Sequence, residues 1–193
     1  MDQYTGFRPE KQAPLLDFLK IHFSPFADGF YEYQSLQAQE RNLSYLAAMV
    51  REATQSGKPV LLGEFGWYGG GKPSFDEGKY RWASEEQQAD WGRAVIEQTR
   101  GQLAGWFTWT LYDYPGAQNA TELSGFLRED GTPKAWGRYF QKISPLLAKQ
   151  RLTELSPAAS MPRFDWDAAL TDPAAGDKFR EVFIQTYRQI TAN

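Results

Sequence analysis

The sequence predicts an α/β protein built on parallel strands, and three observations carry that prediction. Short apolar runs at Leu15 to Phe23, Val60 to Phe65 and Leu103 to Leu111 alternate with longer segments of helical periodicity. The order strand, helix, strand, helix, strand, helix is that of parallel strands joined by right-handed crossovers, with the helices packed on the sheet. The run VLLGEF, Val60 to Phe65, is nearly all apolar, as in a parallel strand covered on both faces.

Each element has its own local signals. LLDFLKIHF, Leu15 to Phe23, reads as a strand containing the chain's only histidine, and Ser24 and Pro25 break it. Between Leu36 and Ser56, Leu43, Leu46, Ala47 and Val50 lie at the i, i+3, i+4, i+7 spacing of a helix face, and Gly57 and Pro59 stop it. After the strand Val60 to Phe65 comes a loop, Tyr68 to Lys79. Ser84, three residues before Gln87, forms a capping-box pattern opening a helix to about Arg100. LAGWFTWTL, Leu103 to Leu111, is the third strand. Thr132 and Pro133 read as N-cap and first position of a third helix, with Trp136, Tyr139, Phe140 and Ile143 on one face. Beyond Pro145 the texture changes: Thr153 to Pro162 reads as a linker, and a last helix follows Asp172 and Pro173. Its stripe, Phe179, Val182, Phe183, Thr186 and Ile190, is expected to dock as a capping helix. The expected division is therefore residues 1–150 as the α/β unit and 151–193 as linker and amphipathic helical tail.

Composition narrows the function. The 193 residues are 41% hydrophobic and 16% aromatic, with 21 basic against 24 acidic side chains and a net charge of −3. That balance has no basic cluster of the kind that brings a protein to nucleic acid or an anionic membrane, so neither partner is expected. The longest apolar run, Tyr45 to Val50, is far below the roughly 20 residues of a membrane helix, and Met1 to Arg8 has no signal-peptide pattern. Zero cysteines exclude disulfides, thiolate metal sites and cysteine nucleophiles, and a single histidine gives no ligand set, so no metal or organic cofactor is implied.

In a parallel α/β array the functional groups gather at the carboxyl ends of the strands. Those ends carry His22, Glu64 and Trp109. An ionised Glu64 among Leu61, Leu62 and Phe65 is costly to desolvate unless it is paired or has a task. It reads either as a glutamate bridged to a neighbouring Lys or Arg or as a functional carboxylate. His22 reads as a hydrogen-bonded structural group or as a site residue. Trp106 and Trp109 face opposite sides of a strand, and Trp109, nearer the end, is the better ligand platform. Trp67, Tyr68, Tyr112 and Tyr114 add flat amphipathic rings around the same rim, a surface suited to the apolar faces of sugars.

These residues resemble a known family. KPVLLGEFGWYGGG, Lys58 to Gly71, is similar to the seventh strand of the clan A glycoside hydrolases, most closely family 5, the cellulase and mannanase family. DFLKIHFSPF, Asp17 to Phe26, resembles the sixth strand, GWFTWTLYD, Gly105 to Asp113, the eighth, and LREDGTPKAWG, Leu127 to Gly137, the approach to the last barrel helix. The resemblance covers about Asp17 to Pro145. It implies part of a (β/α)8 barrel, strands six to eight with their helices, and a retaining glycosidase acting on a β-linked polysaccharide or oligosaccharide. By it Glu64 matches the nucleophile, His22 the sixth-strand histidine and Trp109 the aromatic beside the cleaved bond, while Trp67, Tyr68 and Tyr112 are candidate substrate contacts. The family commonly has tyrosine two residues after the histidine, where this sequence has Ser24. The hydroxyl that orients the nucleophile is then expected from Ser24, Tyr31 or Tyr33, or is absent. Secretion or a periplasmic location is usual for the family.

Retaining glycosidases need a second carboxyl group about 5 to 5.5 Å from the first. The family places it in an Asn-Glu pair, and no Asn-Glu dipeptide occurs here. Asp28, Glu32, Asp76 and Asp113 are conceivable substitutes, and nothing in their spacing singles one out. Only 21 residues precede His22, whereas His22 to Glu64 spans 42 and Glu64 to Trp109 spans 45. The expectation is a fragment carrying the nucleophile without the acid/base, whose open sheet edges call for a missing N-terminal barrel portion or for self-association. The alternative is a non-catalytic carbohydrate-binding protein derived from the same barrel.

Overall fold

Three parallel strands, each leading into a helix, make up the part of the molecule that positions the site. The computed structural model describes residues 9–24, 36–74, 80–152, 172, 174–175, 178–179, 181–182, 185–186 and 189. A short helix α1 (Pro9–Gln12) and a 3-10 turn (Ala13–Leu15) precede β1 (Leu19–Phe23); then come α2 (Leu36–Thr54), β2 (Val60–Phe65), α3 (Glu85–Thr99), β3 (Gly105–Thr108), a second 3-10 turn (Ala120–Leu123) and α4 (Ala135–Leu147). The sheet order is β1-β2-β3, with both pairings parallel.

Most boundaries follow the sequence signals, and the departures have local causes. β1 starts at Leu19, not Leu15, because Pro14 suits the first turn of a helix and Leu16 N–H closes a turn on the Ala13 carbonyl at 3.2 Å. β3 ends at Thr108, since from Thr110 onward the chain pairs with residues 124–127: Phe126 N–H donates to the Thr110 carbonyl (3.1 Å) and Leu127 N–H to that of Leu111 (2.9 Å). The Ser84 capping box forms in both directions, Gln87 N–H to Ser84 Oγ (3.1 Å) and Ser84 N–H to Gln87 Oε1 (2.9 Å). Thr132 does not cap α4. Its hydroxyl donates to Asp130 Oδ1 at 2.6 Å within the preceding turn, and Lys134 takes the N-cap position.

One face of the sheet is packed by helices. Leu19, Ile21, Phe23, Val60, Leu62, Phe65 and Trp106 meet Leu46, Met49 and Val50 of α2, Val95 and Ile96 of α3 and Trp136 of α4 in a single buried cluster. Tyr139, Phe140 and Ile143, the predicted face of α4, pack partly buried against it. The other face carries exposed Lys20, His22 and Phe107 and half-buried Leu61. The expectation that β2 is covered on both faces is thus corrected: among the described residues the helices cover one. The described residues between 174 and 189 are helical, with the Asp172 carboxylate accepting from Ala174 N–H at 3.0 Å, and Val182 is exposed. The linker Thr153 to Pro162, Phe183 and Ile190 lie outside the described residues.

Candidate active site

The alternation of β2 breaks at Gly63, and that break builds the site. Ile21 is in register with Leu62 and His22 with Glu64, so Gly63 is an extra residue bulged from the ladder. Val60 and Leu62 face the helices, and strict alternation would put Glu64 beside them. With the bulge, Phe65 fills that place and Glu64 turns to the open face. There its Oε2 lies 3.4 Å from His22 Nδ1, with the two side chains 32% and 51% exposed. Lys20 occupies the volume that a Cβ on Gly63 would need.

β3 brings Trp109 to the same end. Trp109 N–H and the Thr108 hydroxyl both donate to the Phe65 carbonyl, at 2.8 and 3.0 Å. Gly66, at φ +156°, lies so close that a Cβ there would fall 2.5 Å from the Trp109 carbonyl oxygen. The Trp109–Thr110 peptide is cis. The indole is half exposed, and its Nε1–H donates to Thr121 Oγ1 at 3.0 Å. Thr121 is itself fixed by Asn119, whose Oδ1 accepts its N–H at 2.7 Å.

Not every expected rim residue faces solvent. Tyr112 and Tyr114 do, but Trp67 and Tyr68 are buried. With Tyr80 they form a three-ring cluster at centroid distances of 5.4 to 5.9 Å, and the Tyr68 hydroxyl donates to the Arg81 carbonyl at 2.8 Å. Burial pushes the Tyr68 phenol above its ordinary range. These rings stiffen the loop after β2, which corrects the expectation of an open ring face at Trp67 and Tyr68. Ser24 is exposed and makes no hydrogen bond to Glu64 among the described residues. Tyr31, Tyr33, Asp28, Glu32 and Asp76 lie outside them.

Asp113, the remaining candidate for a second carboxyl, is engaged elsewhere. It is paired with Lys134, whose ammonium is fully buried and lies 2.9 Å from Oδ1, and Oδ1 also accepts Gly125 N–H at 2.8 Å. Burial raises the Asp113 carboxyl and lowers the Lys134 ammonium, each against the opposing pull of the other. Lys134 also donates to the carbonyls of Gly69 (2.7 Å) and Leu123 (2.8 Å). Beside it Arg128 makes a bidentate pair with Glu85, at 2.8 and 2.9 Å. Sequence reasoning missed this network: a single lysine in GTPKAW has no periodicity, and its partners lie 11 to 65 residues away. Among the described residues no three His, Cys, Asp or Glu side chains gather as a metal site.

No family model and no curated protein matches the sequence. Solved structures do. A GH5_18 protein of Bifidobacterium longum, in complex with Manβ1-4GlcNAc, is 20% identical over 97% of this chain and 47% of its own, with a TM-score of 0.61. The β-glucuronidase of Faecalibacterium prausnitzii is 17% identical over 74% of this chain and 23% of its own, at 0.52. That of Bifidobacterium dentium, complexed with coumarin-3-O-glucuronide, is 19% identical over 72% and 22%, at 0.51. The chain thus spans about half the length of the first and under a quarter of the other two. At these identities the likeness fixes the fold: the parallel sheet and its helices are part of a (β/α)8 barrel.

Proposed function

We propose that this chain is the part of a retaining β-glycosidase barrel that carries the nucleophile, Glu64, with His22 holding its carboxylate and Trp109 stacking on the sugar. The observation that carries the reading is the His22–Glu64 pair at the carboxyl ends of two adjacent parallel strands, on the face the helices leave open, with half-exposed Trp109 following the end of the third. Solved structures of the same fold are glycoside hydrolases, and the sequence motifs favour family 5 among them. Residues 1–150 form the barrel portion and 151–193 a linker and helical tail.

In this reading Glu64 attacks the anomeric carbon, the bond to the glycosidic oxygen breaks, and that oxygen takes a proton from a general acid. Water, deprotonated by the same group, then attacks the anomeric carbon and releases Glu64. Among the described residues Asp113 is committed to Lys134, Asp28, Glu32 and Asp76 lie outside them, and the family resemblance assigns the acid to a barrel strand beyond these three. The test uses a leaving group that needs no acid. A 2-deoxy-2-fluoro-β-glycosyl fluoride loses fluoride unaided and leaves a slowly hydrolysed ester on its nucleophile. Intact mass and peptide mapping should find one glycosyl group on Glu64, and none in Glu64→Gln.

Engagement of Asp113 also favours a second reading, saccharide binding without hydrolysis. It predicts oligosaccharide binding that Trp109→Ala abolishes, with no label on Glu64. Intact mass of the protein from its own host, set against 22.0 kDa, tests whether further barrel strands belong to the same chain.

A further inference from the structure

Lys134 is remote from Glu64 in sequence and buried from solvent, yet every proton of its ammonium is directed at a segment that flanks the site. An ammonium has three donors. Here they meet the Gly69 carbonyl (2.7 Å), in the loop five residues beyond Glu64, the Leu123 carbonyl (2.8 Å) and the Asp113 carboxylate (2.9 Å). The last two matter most for Trp109. Asp113 is four residues downstream of it along the backbone, and Leu123 is two residues from Thr121, which accepts the indole N–H at 3.0 Å. The segment 113–123 is therefore fastened to Lys134 at both ends, and Thr121 within it holds the indole. The cation's own backbone is held by Lys134 N–H donating to the Phe126 carbonyl at 2.9 Å. A second tie draws the loop after β2 to the same turn: Glu122 accepts Ser74 N–H at 2.7 Å and the Ser74 hydroxyl at 2.5 Å.

We infer that Lys134 is a positioning residue that sets the attitude of the Trp109 indole relative to Glu64, so that the sugar platform and the nucleophile are held by one buried cation. The significance of that attitude for saccharide rests on the function proposed above. Its structural basis is the tie of Lys134 to Asp113 and Leu123, on either side of the Thr121 that holds the indole.

A purely structural lysine and a positioning lysine differ in what repairs them. Lys134→Met leaves the Asp113 carboxylate buried without its cation and damages the fold whichever role is right. Lys134→Met with Asp113→Asn removes both charges, so the fold is largely restored while the three-way tie stays broken. Thr121→Val cuts the indole bond and leaves the buried pair alone.

The experiment measures two things on the full chain and these variants. One is solvent exchange of the Trp109 indole N–H by NMR, assigned with Trp109→Phe. The other is binding of cellotetraose and of Manβ1-4GlcNAc. The double variant and Thr121→Val should both speed indole exchange about fivefold, the protection given by one ordinary hydrogen bond, and both should weaken binding of whichever saccharide the parent binds. Parent-like indole exchange in a folded double variant overturns the inference. Accelerated exchange in a series where not even the parent binds either saccharide leaves the positioning intact and counts against the proposed function instead.

Discussion

His22 and Glu64 face each other across β1 and β2 because Gly63 is bulged from the ladder between them. The pair is half in water, at 51% and 32% side-chain exposure, so its contribution to stability is small, about 0 to 1 kcal/mol. In the proposed function its part is to hold the carboxylate that the Gly63 bulge turns to the open face. His22→Ala should therefore leave the melting temperature nearly unchanged, yet slow labelling of Glu64 by the fluoroglycosyl fluoride about tenfold or more, the scale of a misplaced reacting group. A large loss of stability with unaltered labelling would make His22 a structural residue.

Gly66 lies where the ends of β2 and β3 meet, between Glu64 and Trp109. Its φ of +156° is unusual for residues with a side chain, and a Cβ would sit 2.5 Å from the Trp109 carbonyl oxygen, a backbone atom that cannot rotate away. Gly66→Ala must therefore push β3 from β2 where Trp109 N–H meets the Phe65 carbonyl. The expected cost is about 1 to 3 kcal/mol in urea denaturation, the usual range for overpacking. Wild-type stability in this variant would mean the two strand ends part freely.

How much of this was legible in the sequence depends on the range of the signal. VLLGEF gave β2 to the residue, and Ser84 with Gln87 gave the start of α3, because apolar runs and capping boxes are written in adjacent residues. The motif order brought His22, Glu64 and Trp109 to one end of the sheet. The Gly63 bulge was not legible, since it depends on which residue of β1 each residue of β2 faces. Nor was the burial of Trp67 and Tyr68, which depends on Tyr80 returning across the loop to pack on both. Asp113 looked as free as any other acidic residue until Lys134 closed on it.

Glu122 gives a pH dependence of definite sign. Hydrogen bonds from the Ser74 hydroxyl and N–H hold its carboxyl below the ordinary value of 4.5. A carboxylate depressed in the folded state binds fewer protons there than when unfolded, so its contribution is fully present above pH 4.5 and fades as pH falls through the depressed value. The melting temperature of Glu122→Gln should thus lie below the parent's at neutral pH and converge with it in acid. A gap that stays constant from neutral pH into acid would show that ionisation of Glu122 does not matter.

Gly92 sets two opposing effects against each other. It lies inside α3, where alanine normally gains about 1 kcal/mol over glycine. Here a Cβ would come within 2.5 Å of the Trp136 ring. That ring cannot retreat: Trp136 is 1% exposed, meets Phe65, Phe126, Tyr139 and Phe140 at 5.4 to 5.9 Å, and donates from Nε1 to Thr108 Oγ1 at 3.2 Å. Overpacking costs about 1 to 3 kcal/mol, which outweighs the propensity gain through most of its range. Gly92→Ala should therefore destabilise the protein, and the same change in a Trp136→Leu background should stabilise it, because the clash is gone and the propensity remains. Measuring both in urea isolates the coupling. A stabilising Gly92→Ala in the wild-type background would show that α3 and α4 slide apart more easily than their packing implies.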